Sequence, residues 1–342
     1  MERRAGIKSL IVAFFVSACF MFSASVGAQE KVIKLKYSNF FPPAHLHSKL
    51  GEQWCKEIEK RTGGRVKITY FAGSTLTPAA QTYDSVVQGI VDIGQSIFIY
   101  STGRFPLTDV LNLPLGITSG LQVTRLANAY YKKFQPKEMA DTKILYLHGH
   151  GPGLFHTKKV IRSLDEIKGM RIKSSGTSGL IVKALGGVPV TMPIPETYEA
   201  LQKGLADGIL LPIESLKNWK FSEFLNCTVK NYGVSFSNAM FVTMNKEKWN
   251  SLPKEIQQVF EQVSEEWIDK QGRVWDDLEK EALEFALKKK GYTVVSVSKE
   301  EEAKTREKMK PILAEYVQDM KAKGLPGQEA LRFCLDWLHA NP

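Results

Sequence analysis

Residues 253–290 read PKEIQQVFEQVSEEWIDKQGRVWDDLEKEALEFALKKK, and past Pro253 the stretch contains no proline and one glycine, Gly272. Apolar side chains recur at Ile256, Phe260, Val263, Trp267, Val274, Leu278, Ala282 and Phe285, the spacing of one helix face. At about 1.5 Å per residue, a helix over the whole stretch is about 55 Å long, more than one small domain is wide. The pattern predicts a single helix running along two lobes as a shared backbone. A break near Gly272 would instead give two helices. Gly291 ends the pattern, and Thr293 to Val297 reads as a strand.

Upstream, strands and helices alternate. Val32 to Ser38 alternates like a strand and leads into the loop Phe40-Phe41-Pro42-Pro43. His47 to Lys60 is an amphipathic helix with Leu50, Trp54 and Ile58 on one face, stopped by Thr62-Gly63-Gly64. Val66 to Phe71 is a strand, Ala79 to Gln88 a helix closed by Gly89, and Val91 to Ile99 a strand. This order predicts an α/β unit with crossover helices on a largely parallel sheet. A second unit repeats the pattern: strands at Lys143 to His148, His156 to Val160 and Met170 to Lys173, a helix over Leu180 to Leu185, then the strand Val188 to Met192. A helix over Pro195 to Lys203 has proline in its first turn, and Ile209 to Leu211 is another strand.

The chain of 342 residues is 43% hydrophobic, 24% charged and 10% aromatic, which suits two globular domains and excludes a disordered protein. No apolar run after residue 30 approaches the ~20 residues a spanning helix needs, which excludes a multi-span membrane protein. Residues 1–28 form a secretory leader: Arg3, Arg4 and Lys8, an apolar stretch from Leu10 to Phe22, and small residues at Val26-Gly27-Ala28. Cleavage is expected after Ala28. Val16-Ser17-Ala18-Cys19 resembles a lipoprotein box, whose use would make Cys19 a lipidated N-terminus. The leader carries three basic residues and Glu2, so of 46 basic and 36 acidic residues the mature 314 keep 43 and 35, a net of +8. Lysines alternate with glutamates, as in Lys56-Glu57 and Glu279-Lys280, so the excess reads as a solvated surface with some attraction for anions and not as a nucleic-acid stripe. Cys55, Cys227 and Cys334 are far apart and lack CxxC spacing, so neither a disulfide framework nor a zinc site is expected.

No catalytic motif is present: no GxSxG elbow, HExxH or GxxxxGK[ST] loop occurs. Gly149-His150-Gly151-Pro152-Gly153 has the glycines of a dinucleotide fingerprint but leads into strand-like residues, leaving no helix N-terminus for a pyrophosphate. His45 with His47, and His148 with His150, could supply imidazoles to a transition metal, which keeps a metal-capture protein as the alternative reading. The more informative stretch runs from Ile167 to Pro212. There the strand ending at Lys173 meets a Ser/Gly/Thr-rich turn and a helix start, an arrangement suited to a carboxylate.

This stretch carries a family resemblance. LDEIKGMRIK (164–173), ALGGVPVTMP (184–193) and PETYEALQKG (195–204) followed by Ala206-Asp207-Gly208 resemble, in order, signature segments of solute-binding proteins of TRAP (tripartite ATP-independent periplasmic) transporters, the dicarboxylate-binding-protein family. KRTGGRVKI (60–68) and MNKEKWNSLP (244–253) match two further segments of the same family. The resemblance implies a two-lobed periplasmic binding protein closing on an organic acid, with no cofactor, and delivering it to the small and large membrane subunits of a permease. On that pattern residues 29–150 plus about 237–275 form lobe I, residues 151–236 plus about 276–342 form lobe II, and the helix at about 253–290 spans both. Two departures matter. The family's carboxylate-binding arginine falls on Lys173, and its asparagine falls on Leu211, so the pocket loses polar hands and gains apolar wall. Phe40, Phe98, Tyr100 and Phe236 are candidate walls, Glu214 is placed to receive an amine or hydroxyl, and His150 completes the ligand-binding set. An aromatic or cyclic monocarboxylate is the expected ligand.

Overall fold

The computed structural model describes residues 32–342; the leader, its cleavage site and Cys19 lie outside the described residues. Two sheets organise the chain. The first is built from β1 (Ile33–Asn39), β2 (Val66–Phe71), β3 (Ile93–Ile97), β4 (Thr142–Gly149) and β10 (Ala239–Asn245), in the order β2-β1-β3-β10-β4. The second contains β5 (Gly153–Thr157), β6 (Arg171–Ser174), β7 (Val188–Thr191), β8 (Gly208–Pro212), β9 (Cys227–Lys230) and β11 (Thr293–Ser296), in the order β11-β9-β5-β8-β6-β7. Helices α1 (Leu46–Arg61), α2 (Thr82–Val87) and α3 (Gly120–Phe134) belong to the first sheet's connections, and α4 (Ser178–Ala184), α5 (Thr197–Gln202) and α6 (Ser215–Asn218) to the second's. The short α7 (Lys246–Ser251) follows β10, and α8 (Lys254–Leu287), α9 (Lys299–Ala322) and α10 (Gly327–Ala340) complete the chain.

The expectation of largely parallel sheets needs correction. β1, β2 and β3 pair in parallel, as do β6, β7 and β8, but β10 runs antiparallel to both β3 and β4, and β5 runs antiparallel to both β8 and β9. The cause is connectivity. β10 re-enters the first sheet only after the chain has traversed the second, so no crossover helix dictates its direction. All seven of its residues are buried, so it has no period-two pattern to betray it in the sequence.

The long helix is unbroken over Lys254–Leu287, 34 residues. Its first half packs on α1, α3 and β4, with Ile256, Phe260, Val263 and Trp267 in the core beneath the first sheet. Farther along, Trp275, Ala282 and Ala286 join a second core shared with the other lobe. Gly272 is a contact point and not a break. A Cβ there would lie 2.7 Å from the Cα of Leu121, so the bare backbone lets α3 and α8 approach more closely than any side chain would allow. The chain passes between lobes through residues 150–152, through the segment leading into β10, and along α8. At the C-terminus α10 packs on both α9 and α3. Cys55, Cys227 and Cys334 are buried free thiols.

Candidate functional site

Parallel strands present their carboxyl ends to one side of a sheet, and ligands collect in the crevice outside those ends. Here the ends of both sheets face one pocket between them. From the first lobe, the turn after β1 supplies Phe40 and Phe41, pinned where the Phe41 N–H donates to Asn39 Oδ1 at 2.9 Å. The end of β3 and the 3-10 turn behind it supply Ile97, Ile99 and Tyr100, and β10 supplies Met240. From the second lobe come Lys173 on β6, Ser175 and Ser178 at the start of α4, Leu211 and Pro212 on β8, and Glu214 and Trp219 around α6. The crossing segments add His150 and Asn238, and α8 adds Trp275.

Lys173 is the unusual member. Its side chain is 1% exposed, and among the described residues it has neither an ion-pair nor a hydrogen-bond partner. Burial alone lowers its pKa from the usual 10.5 to about 7. His150 is nearby but offers no counter-charge. The Asn238 N–H donates to its Nε2 at 3.0 Å, so its proton sits on Nδ1 and is given to the Gly151 carbonyl at 2.6 Å. Burial, more than the neighbouring Lys173, lowers that imidazole to about 4 and keeps it neutral. The expected anion cradle at the start of α4 is partly used up internally, because the Ser175 N–H donates to Ser178 Oγ at 2.9 Å.

Glu214 stands elsewhere on the wall, 1% exposed. His45 receives the His47 N–H on its Nδ1, so its Nε2 carries the proton and donates to Glu214 Oε2 at 3.3 Å, a contact from one lobe to the other. The Asn218 amide donates to the same oxygen at 3.2 Å. Behind Glu214 lies Glu279 of α8, which accepts the N–H groups of Ile213 and Glu214 at 3.1 and 3.3 Å; burial, then the neighbouring Glu214, pushes its pKa well up. A second bond joins the lobes where the Ile194 N–H donates to Tyr100 Oη at 3.0 Å. With both contacts made, the cleft is shut.

Of the residues singled out from sequence, Lys173, Leu211, Glu214, Phe40, Tyr100 and His150 line this cavity, and Phe98 and Phe236 do not. Ile97 and Ile99 face the cavity, which turns the intervening Phe98 to the opposite side, edge-on to Phe105 at 4.8 Å in the core. Phe236 lies behind His150, its ring filling the space over Gly153, where a Cβ would sit 2.1 Å from a ring carbon. Sequence reading also missed Trp219, Trp275, Phe41 and Asn238. Trp275 continues the stripe of Trp267 and Leu278, so its position was legible, but nothing marked that stripe as crossing a cavity.

The metal-capture reading is not supported. His47 and His148 stack at 5.7 Å, and His45 and His47 at 5.5 Å. Most of their nitrogens are directed at protein partners, His47 Nδ1 at Gln271 and His148 at Gln95 (2.9 Å) and Trp275 (3.1 Å), while His47 Nε2 is buried without one. Burial lowers the pKa of both imidazoles, that of His148 to about 3. Among the described residues no group of three or more His, Cys, Asp or Glu side chains is arranged to hold a metal ion.

Residues 37–319 match the family model described as bacterial extracellular solute-binding protein, family 7. A TRAP periplasmic solute-binding protein from Desulfovibrio salexigens, solved in an open form, is 33% identical; the likeness covers 89% of this chain and 95% of that one, with a TM-score of 0.79. A TRAP solute-binding protein from Rhodoferax ferrireducens, solved with copurified benzoate, is 27% identical over 90% of this chain and 98% of that one, with a TM-score of 0.85. The monocarboxylate 2-oxoacid-binding periplasmic protein of Nostoc is 27% identical over 83% of this chain and 80% of its own length. The chain belongs to solute-binding protein family 7 and is a TRAP transporter substrate-binding protein.

Proposed function

We propose that this member of the family captures an organic acid with one carboxylate and an aromatic or cyclic body, and hands it to the small and large membrane subunits of a TRAP permease. The observation that carries the reading is Lys173, a buried cation with no counter-charge facing an aromatic-walled cavity. Moving that ammonium from water to its place in the closed cleft costs roughly 5 kcal/mol, at about 1.36 kcal/mol per pKa unit. A ligand carboxylate offsets this cost directly, so closure on the anion is favoured over closure on nothing. Lysine gives a point charge in place of a planar fork, which suits a carboxylate oriented by the walls around it.

A single carboxylate follows from the rest of the lining. Lys173 is the one unpaired cation among the described lining residues, and Glu214 would repel a second carboxylate. Leu211, where the family's pattern has an asparagine, makes wall of a polar position. The benzoate of the Rhodoferax protein and the monocarboxylates of the Nostoc protein agree with this class of ligand. No catalysis is proposed, since the cavity's serines bond each other and the backbone and not a general base. The leader of residues 1–28 would place the mature chain in the periplasm. Lobe I would comprise residues 29–150 plus about 237–275, and lobe II residues 151–236 plus about 276–342.

A thermal-shift screen of the purified protein against mono- and dicarboxylates, keto acids, aromatic acids and amino acids tests the reading. Ligand at ~100 times its Kd adds about 2.7 kcal/mol of stability. Aromatic monocarboxylates should give the largest shifts. Dicarboxylates stabilising as strongly as aromatic acids would overturn the proposed class.

A further inference from the structure

Besides Lys173, three polar atoms of the cavity wall are left without partners: Asn238 Oδ1, on the residue whose N–H bonds His150, and two around α6. Glu214 Oε2 receives both His45 and Asn218, whereas its other oxygen, Oε1, accepts nothing among the described residues. The indole N–H of Trp219 is buried and equally unpartnered. The two residues lie five positions apart around α6, and both have His45 as a neighbour. Glu214 is bonded to it, and the Trp219 ring lies 6.1 Å from the imidazole. Glu214 is paired with His45 and no ion pair joins it to Lys173 among the described residues, so the cation and this carboxylate occupy separate places on the wall. Phe40, Phe41, Tyr100 and Trp275 form apolar wall of the same cavity.

An unpaired buried donor or acceptor costs free energy until a ligand supplies its complement. Around α6 one of each is left open, a carboxylate oxygen that can only accept and an indole N–H that can only donate. A carbonyl or ether oxygen answers Trp219 alone. An ammonium answers Glu214 alone, and an aromatic amine accepts weakly. A hydroxyl answers both, donating to Glu214 Oε1 and accepting from Trp219 Nε1.

We infer that Glu214 and Trp219 form a second recognition site for a hydroxyl group, so that the ligand is a hydroxylated monocarboxylate with its hydroxyl at the far end of an apolar body. This rests on the proposed capture of an organic acid and names the subclass.

The test is a calorimetric titration of the purified protein with benzoate and phenylacetate, each unsubstituted or bearing a hydroxyl, methoxy or amino group at the meta or para position. The best hydroxy acid should bind about tenfold or more tightly than its unsubstituted parent. The methoxy and amino analogues, each satisfying one of the two partners, should fall short of it. In Trp219→Phe and Glu214→Gln the ratio between hydroxy acid and parent should shrink toward one, and in Glu214→Gln the methoxy acid should bind as well as the hydroxy acid. Equal binding of hydroxy, methoxy and parent acids by the unmodified protein would overturn the hydroxyl site while leaving organic-acid capture standing. A hydroxyl preference that survives in both folded variants would assign it to other residues and overturn the inference as well. Failure of every acid in the series and in the wider screen would overturn the underlying reading itself. The wild-type ligand series decides the matter even if neither variant folds.

Discussion

Lys173 is a primary amine 1% exposed, walled by aromatic rings, with no carboxylate or carbonyl bonded to it among the described residues. Its pKa in the folded chain, about 7, lies below the ordinary 10.5, so between those values the unfolded chain binds more protons and stability rises with pH. At and below pH 7 the ligand-free closed form carries the full penalty. Replacing the amine by a thioether of similar length removes the charge and keeps most of the packing. Lys173→Met should therefore raise the thermal midpoint of the ligand-free protein by several degrees at pH 7, with the gain fading toward pH 10, while organic-acid affinity falls about tenfold or more. A gain unchanged from pH 7 to pH 10 would show that the amine is hydrated in solution. The importance of Lys173 was legible from its place at a strand end before a Ser/Gly turn. Its isolation was not, because only the folded structure shows that Glu214 goes to His45 and leaves the lysine unpaired. Phe98 was misplaced for a related reason. The side on which a residue emerges from a one-turn 3-10 segment is set by that turn, and no periodicity records it.

Elements follow the same division between what local pattern encodes and what tertiary pairing decides. The helix α8 was legible because 34 residues of three-and-four spacing with no internal proline permit little else. Gly272 drew notice for the wrong reason: it signalled a close neighbour and not a bend. In Gly272→Ala the intrinsic helix gain of about 1 kcal/mol is opposed by a Cβ that would sit 2.7 Å from the Cα of Leu121. Displacing α3 to relieve that contact costs typically ~1–3 kcal/mol, so a net loss of about 1 kcal/mol is expected in urea denaturation. A more stable variant would show that α3 and α8 are less tightly apposed. Strands β1, β2 and β3 and helix α1 were visible through their alternation and caps. β10 was not, because a strand buried on both faces has no alternation, and its antiparallel seat between β3 and β4 depends on chain segments far away in sequence.

At the scale of the molecule, the lobes are joined by the crossing segments and α8, and the cleft is shut by two polar contacts, Tyr100 with Ile194 and His45 with Glu214. Closing on an empty site buries the Lys173 charge uncompensated, so under the proposed function this form would be the ligand-bound member of a hinge pair. X-ray scattering of the ligand-free protein should therefore give a radius of gyration larger than that of the closed form, shrinking when a bound acid is added. An unchanged radius would mean that the lobes do not move. Tyr100→Phe, which leaves the Ile194 N–H without its acceptor, should weaken acid binding severalfold, mainly by faster release, in stopped-flow measurements. Unchanged release would show that this bond does not hold the closed form. The most direct measurement is a crystal structure with the tightest-binding organic acid from the screen. The expected result is a closed cleft with the ligand carboxylate about 3 Å from Lys173 Nζ and its body against the wall formed by Phe40, Phe41, Tyr100 and Trp275. An acid bound with its carboxylate elsewhere, and Lys173 still unpaired, would contradict it.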